Sequence, residues 1–211
     1  MGNQLILKAK HNAIIYPFFK WYIRLKIRSE FHAVKITGEV SGRNLPVLLI
    51  TNHNSWWDGL WVEWVNQQVF KRRFYFMMLE EQLRKFWFFN YTGGFSVKKN
   101  SKSIIESLAY ARELLTDRQN LVLMYPQGKI HSIHDSDFQF EKGIEYVLKR
   151  LDNPIQLVFM VSLIDYFSNP KPGLFLYLKE YAENDFTTKA IQLNFSEFYQ
   201  NCIEQQKREA K

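Results

Sequence analysis

Residues 46–69 read PVLLITNHNSWWDGLWVEWVNQQV, and this stretch decides the architecture. Residues 46–51 form a short apolar run, with Gly42 before it and Asn52 after it, which is the pattern of a buried strand. Residues 58–69 suit a helix, with Asn54 or Ser55 placed to cap it. A strand passing into a helix through a polar loop is the opening of an α/β unit.

The alternation continues outward. Residues 74–79, 94–97, 121–125, 155–161 and 174–178 read as strands, and 80–89, 101–116, 141–150 and 195–207 as helices. The helix over 101–116 is the clearest, with Ser101 as its cap and Ile104, Ile105, Leu108, Ala109 and Leu115 on one face. Strands separated by helices imply a layered α/β domain. Residues 169–173, NPKPG, read as a loop within that domain. The expected organisation is therefore a helical appendage over residues 1–30 and one α/β domain over 31–211.

The appendage has its own composition. Its first 29 residues hold six Lys or Arg and no acidic residue, interleaved with aromatic and aliphatic side chains. That mixture is expected of one or two short helices, bent near Pro17, lying in a lipid interface. No stretch reaches the ~20 apolar residues that span a bilayer, and the cations and Pro17 interrupt any signal-peptide core. The whole chain has a net charge of +7 and 18 phenylalanines, so anionic partners and apolar contacts are both expected. A single cysteine, Cys202, excludes an internal disulfide and a cysteine-rich zinc site.

The chemistry concentrates in Asn52-His53-Asn54-Ser55-Trp56-Trp57-Asp58, a loop at a strand end, where α/β proteins place ligands. On a regular helix His53 and Asp58 would diverge by about 140°. They meet only if the chain turns between them, with His53 in the loop and Asp58 at the helix start. Asp58 would then hold one imidazole nitrogen and leave the other free to take a proton. A His–Asp pair with no matching serine suggests that a bound acceptor is itself the nucleophile.

These residues resemble the glycerolipid acyltransferase superfamily. Asn52 to Asp58 matches its first block, N-H-x-S-x-x-D. Gly93 to Lys99 resembles the second, G-x-F-x-x-x-R, with Lys99 in the arginine position. Tyr125-Pro126-Gln127-Gly128-Lys129 resembles the third, F-P-E-G-T-R, and Phe138 to Gly143 the F-K-x-G segment after it. The resemblance implies a mixed β-sheet flanked by helices, with an N-terminal membrane-associating helical segment. It implies His53 as general base and Asp58 as its orienting partner. It implies an acceptor site drawn from Asn52, Ser55, Gly94, Phe95, Lys98, Lys99, Pro126, Gln127, Gly128 and Lys129. The implied donor is acyl carrier protein or acyl-coenzyme A, with no bound cofactor or metal. The implied partners are an anionic membrane surface and a lipid acceptor, and the implied location is peripheral, on the cytoplasmic face of a membrane.

The third block departs from the pattern: Gln127, Lys129 and Ile130 stand where glutamate, threonine and arginine are usual. A planar guanidinium suits a phosphate, and isoleucine offers no such fork. An acceptor with another head, such as an amino-acid lipid, a glycolipid or a pigment hydroxyl, therefore stays open. So do a lipid-binding relative without catalysis and a thioesterase. A nucleic-acid-binding module has no motif to support it. Trp57, Trp61 and Trp64 share a helical stripe expected to pack in the core. Phe86, Trp87, Phe88, Phe89 and Tyr91 cannot all face one core and are expected to touch lipid or an acyl chain. His131, His134, Asp135 and Asp137 are too loosely spaced to argue for a metal.

Overall fold

A computed structural model describes residues 6–98 and 103–209. Seven strands form one sheet in the order β1-β7-β6-β2-β5-β3-β4. They are β1 (Ala33–Thr37), β2 (Val47–Thr51), β3 (Arg73–Leu79), β4 (Gly94–Val97), β5 (Asn120–Met124), β6 (Gln156–Asp165) and β7 (Gly173–Glu180). All neighbours run parallel except β6 and β7, which pair antiparallel, so the sheet is mixed. The helices are α1 (Ile15–Glu30), α2 (Asp58–Val65), α3 (Glu80–Lys85), α4 (Ser103–Leu114), α5 (Gly143–Leu148) and α6 (Thr188–Glu209).

Why β2 lies at the centre follows from its sequence. All five residues are buried, as expected of a parallel strand covered on both faces. Successive side chains point to opposite faces. Leu48 and Ile50 join Val122, Met124, Phe159 and Val161 under α4, α5 and α6. Val47 and Leu49 join Leu121, Leu123, Val158 and Met160 under α1 and α2. Each face thus closes its own hydrophobic layer.

At the N-terminus one continuous helix replaces the bent helix or pair expected from the sequence. Pro17 falls in its first turn, where a missing N–H costs nothing. Asn12 Oδ1 accepts the amides of Ile14 and Ile15 at 2.9 and 3.0 Å and caps the start. The inner face buries Phe19, Ile23 and Ile27 in the core, while Ile14, Phe18, Trp21 and Leu25 are exposed. Among the described residues no helix is long and apolar enough to cross a membrane.

The remaining elements differ from expectation at their ends. The helix expected over 80–89 stops at Lys85 and resumes as a 3-10 turn over Trp87–Tyr91. The helix expected from 195 begins at Thr188. Strand β1 has no counterpart among the expected strands. The expected cap Ser101 lies outside the described residues.

Candidate active site

Strand β2 delivers the loop. At its end Asn52 is fully buried. Its Oδ1 accepts the Ser162 amide at 2.9 Å, and its Nδ2 donates to the Ser162 carbonyl at 3.1 Å. One side-chain amide therefore satisfies both backbone groups of a residue on β6, holding the chain where it leaves the sheet. His53 is then clamped through its own backbone. Its amide donates to Gln127 Oε1 at 3.1 Å, and its carbonyl accepts from the His131 amide at 2.8 Å.

The chain does turn between His53 and Asp58, and the two side chains meet. His53 Nδ1 lies 3.0 Å from Asp58 Oδ2. The same oxygen accepts the amides of Asn54 at 2.8 Å and Ser55 at 2.9 Å. Asp58, not Asn54 or Ser55, is thus the side chain that organises this turn. Ser55 plays a smaller part, its Oγ accepting the Trp57 amide at 3.1 Å. The carboxylate sits in the first turn of α2, where the helix dipole favours negative charge.

Burial separates the two partners' roles. The Asp58 side chain has no exposed surface, whereas that of His53 is 21% exposed. Burial raises the Asp58 pKa, opposed by the hydrogen bonds from His53 and from the Ser55 and Asn54 amides. An ionised Asp58 only accepts hydrogen bonds, so beside it Nδ1 is the nitrogen that donates and Nε2 is the one left without this partner. The imidazole lies on the ring of Tyr125, with centroids 3.9 Å apart and planes 19° apart.

The third-block residues gather around this pair. Pro126 and Gln127 are buried, and Gly128 adopts a left-handed φ of 66°. Lys129 and Ile130 are exposed. Beyond them His131 Nδ1 lies 3.1 Å from Asp135 Oδ2, a second His–Asp pair beside the first. Asn54 Nδ2 ties this segment down by donating to the Ser132 carbonyl at 3.0 Å. Among the described residues no three His, Cys, Asp or Glu side chains are placed to hold a metal ion.

Second-block residues lie farther away. Strand β4 is the sheet edge, with β3 and β5 between it and β2, roughly 14 Å at the usual strand spacing. Phe95 is fully buried against Tyr110. A Cβ at Gly94 would stand 2.7 Å from the Phe89 carbonyl oxygen, so backbone packing accounts for this glycine. Lys98 Nζ pairs with Glu80 Oε2 at 3.3 Å at the end of β4. Lys99 lies outside the described residues.

Two residues of the site have no role that sequence alone assigns: Tyr125 as a partner of His53, and Ser162. Both depend on which strands flank β2, and strand order is not written in any local pattern. Ile50 stands opposite Met124, so His53 and Tyr125 leave the sheet on adjacent parallel strands.

Comparison with known families decides the class of chemistry. The family model "Acyltransferase" matches residues 33–161, well over half of the chain, including the His53 loop and the segments after β4 and β5. The chain belongs to this acyltransferase family, part of the glycerolipid acyltransferase superfamily. No curated protein matches the chain. The chemistry of this acyltransferase is therefore acyl transfer, and the His53 loop lies inside the matched span.

Proposed function

We propose that this acyltransferase moves a fatty-acyl group from an acyl carrier protein or coenzyme A thioester to a hydroxyl, or an amine, of a lipid-type acceptor such as a lysophospholipid. His53 is the general base and Asp58 orients it. The observation that carries this reading is the 3.0 Å contact between a fully buried carboxylate and a partly exposed imidazole.

The steps balance without a cofactor. The acceptor O–H gives its proton to His53 Nε2 as its oxygen attacks the thioester carbonyl. The tetrahedral adduct collapses, the C–S bond breaks, and the departing thiolate takes the proton from the imidazolium. Asp58 stabilises that imidazolium and fixes its orientation, while the acceptor plays the part of the serine in a hydrolase triad.

A surface suited to lipid lies on the same side of the sheet. Ile14 just before α1 and Phe18, Trp21 and Leu25 on it are exposed, as are Trp56, Trp57 and Trp87. Ring contacts connect them: Phe19 meets Phe88 and Phe89, and Trp56 meets Phe86 and Phe89. Lys26 sits over Trp57, and Lys85 over Phe86. Aromatics interleaved with cations favour an anionic bilayer surface. The enzyme acts there as a peripheral protein, on the cytoplasmic face, where both donor thioesters are found. The acceptor head is less bound to phosphate than the resemblance alone implies, because Ile130, 51% exposed, stands where the related motif has arginine.

The test is acyl transfer by purified protein on vesicles, with acyl-carrier and acyl-coenzyme A donors and a panel of phosphate and non-phosphate acceptors. Transfer should require an acceptor and fall at least ~100-fold in His53→Ala. Unchanged activity in that variant overturns the mechanism. Thioester cleavage that ignores the acceptor would instead mark a thioesterase.

A further inference from the structure

Tyr125 has two features that the proposed reaction leaves unused. Its ring lies flat beneath the imidazole of His53, at 3.9 Å and 19°. Its hydroxyl is fully buried and has no hydrogen-bond partner among the described residues. The other such orphan at this place is Asp58 Oδ1, the carboxylate oxygen that His53 does not use. The phenol lies beside the first turn of α2, since a Cβ on Gly59 would be 3.7 Å from its oxygen. The Asp58 charge acts on it as well: burial first, and that carboxylate second, push the phenol well above its ordinary pKa. A phenol in that state keeps its proton and is a hydrogen-bond donor. An ionised carboxylate oxygen is an acceptor. Two buried, complementary groups left unpaired at one helix turn are rare, because each unmet group is costly.

We propose that Tyr125 is a positioning residue of the acyl-transfer pair, its ring serving as the platform for His53 and its hydroxyl as the donor to Asp58 Oδ1 through one water molecule. The inference rests on the reading of His53 as general base. The platform does two things. It restricts the imidazole to the plane that keeps Nδ1 on Asp58, and its π face favours the imidazolium that forms as the acceptor loses its proton. The hydroxyl fixes the carboxylate from the side opposite His53 and draws off part of its charge.

These two effects act on the imidazolium with opposite sign, which gives the test its resolution. Tyr125→Leu removes the platform and the hydroxyl. Tyr125→Phe keeps the platform and removes only the hydroxyl. Each is measured in the full-length protein for kcat, KM for donor and acceptor, the pH dependence of kcat/KM, and thermal unfolding. Tyr125→Leu should lower kcat about tenfold or more, with both KM values within about threefold, and set the acidic limb of the profile at lower pH than in Tyr125→Phe, from which it differs by the platform alone. Tyr125→Phe should recover most of kcat and move that limb to higher pH, because an undiluted carboxylate holds the imidazolium more strongly. A structural role alone would shift unfolding in both variants and leave the limb in place, and that outcome overturns the proposal. So does wild-type kcat in Tyr125→Leu. If Tyr125→Leu fails to fold, the limb in Tyr125→Phe decides alone, and a wild-type position there overturns the proposal. Should His53→Ala be as active as wild type, the reading of the base fails first. If His53→Ala is inactive and the Tyr125 variants are normal, only the present inference fails.

Discussion

Helix α2 carries two buried carboxylates five residues apart, Asp58 and Glu63, and they differ in what they hold. Neither side chain exposes more than a trace to solvent. Asp58 Oδ2 gathers two loop amides and one imidazole. Glu63 Oε2 accepts from Asn66 at 2.9 Å, while its Oε1 accepts from Tyr16 at 3.4 Å and lies 3.9 Å from Lys20 Nζ. The Tyr16 hydroxyl also accepts the Phe74 amide at 3.3 Å, so this cluster joins α1, α2 and β3. Burial raises the pKa of both carboxyls. On the proposed reading, what separates an architectural carboxylate from a chemical one is the partner: Asp58 ends on a partly exposed imidazole, and Glu63 on side chains that only tie elements of the fold together.

Removing the chemical partner should have the largest effect. His53→Ala should lower turnover at least ~100-fold with unfolding unchanged within about 1 kcal/mol, read by acyl-transfer rates and thermal melts. Asp58→Asn should cost less, on the order of tens of fold, because the imidazole remains but its tautomer is no longer fixed. If Asp58→Asn were the more damaging in unfolding and harmless in rate, the two carboxylates would have exchanged roles and the comparison would break.

Glu63→Gln sharpens the contrast from the other side, with turnover within about twofold of wild type. Its effect belongs to stability and to pH. Burial, against the pull of Asn66, Lys20, Tyr16 and Gln67, raises the Glu63 carboxyl from 4.5 to about 7. The folded chain then binds this proton more tightly than the unfolded chain. Its stabilising contribution is full below pH 4.5, declines as pH rises through about 7, and is gone above that value. The span of that decline is up to about 3 kcal/mol, at about 1.4 kcal/mol per pH unit. Glu63→Gln should therefore match wild type near pH 5 and be the more stable at pH 8, measured by urea unfolding. Parallel pH profiles for the two proteins would sink this account.

What the sequence disclosed follows the same division between local and long-range order. The apolar run of β2 and its loop are legible because burial on both faces leaves no alternation to confuse, and because His53 and Asp58 share one turn. Strand β1, AVKIT, is not legible: it lies at the sheet edge, half exposed, with Lys35 in its middle. Pro17 suggests a bend, yet in a first turn it fits a straight helix. The tryptophan stripe on α2 suggests core, and only part of it is: Trp61 is buried while Trp57 is exposed. Ser162 and Tyr125 become visible only once β6 and β5 are known to flank β2. Long-range pairing fixes those contacts, and no residue spacing encodes it.

The smallest predicted effect concerns the two faces of α1, which contrast as the two carboxylates do. Phe19, Ile23 and Ile27 face the core, and substituting them should damage folding. Phe18 and Trp21 face outward, with rings 5.6 Å apart. Trp21→Ser should leave unfolding within about 0.5 kcal/mol of wild type, as exposed sites usually do. It should weaken binding to anionic vesicles by about fivefold, equivalent to about 1 kcal/mol of apolar burial that a half-exposed indole supplies at the bilayer. Turnover on a short-chain acceptor free in solution should not change, because Trp21 takes no part in the His53 site. Vesicle co-sedimentation with and without anionic lipid separates the contributions: the indole accounts for the part that survives high salt, and the neighbouring lysines for the part that salt removes. Undiminished vesicle binding by Trp21→Ser would remove this face of α1 from the membrane contact, leaving the acyl-transfer site untouched.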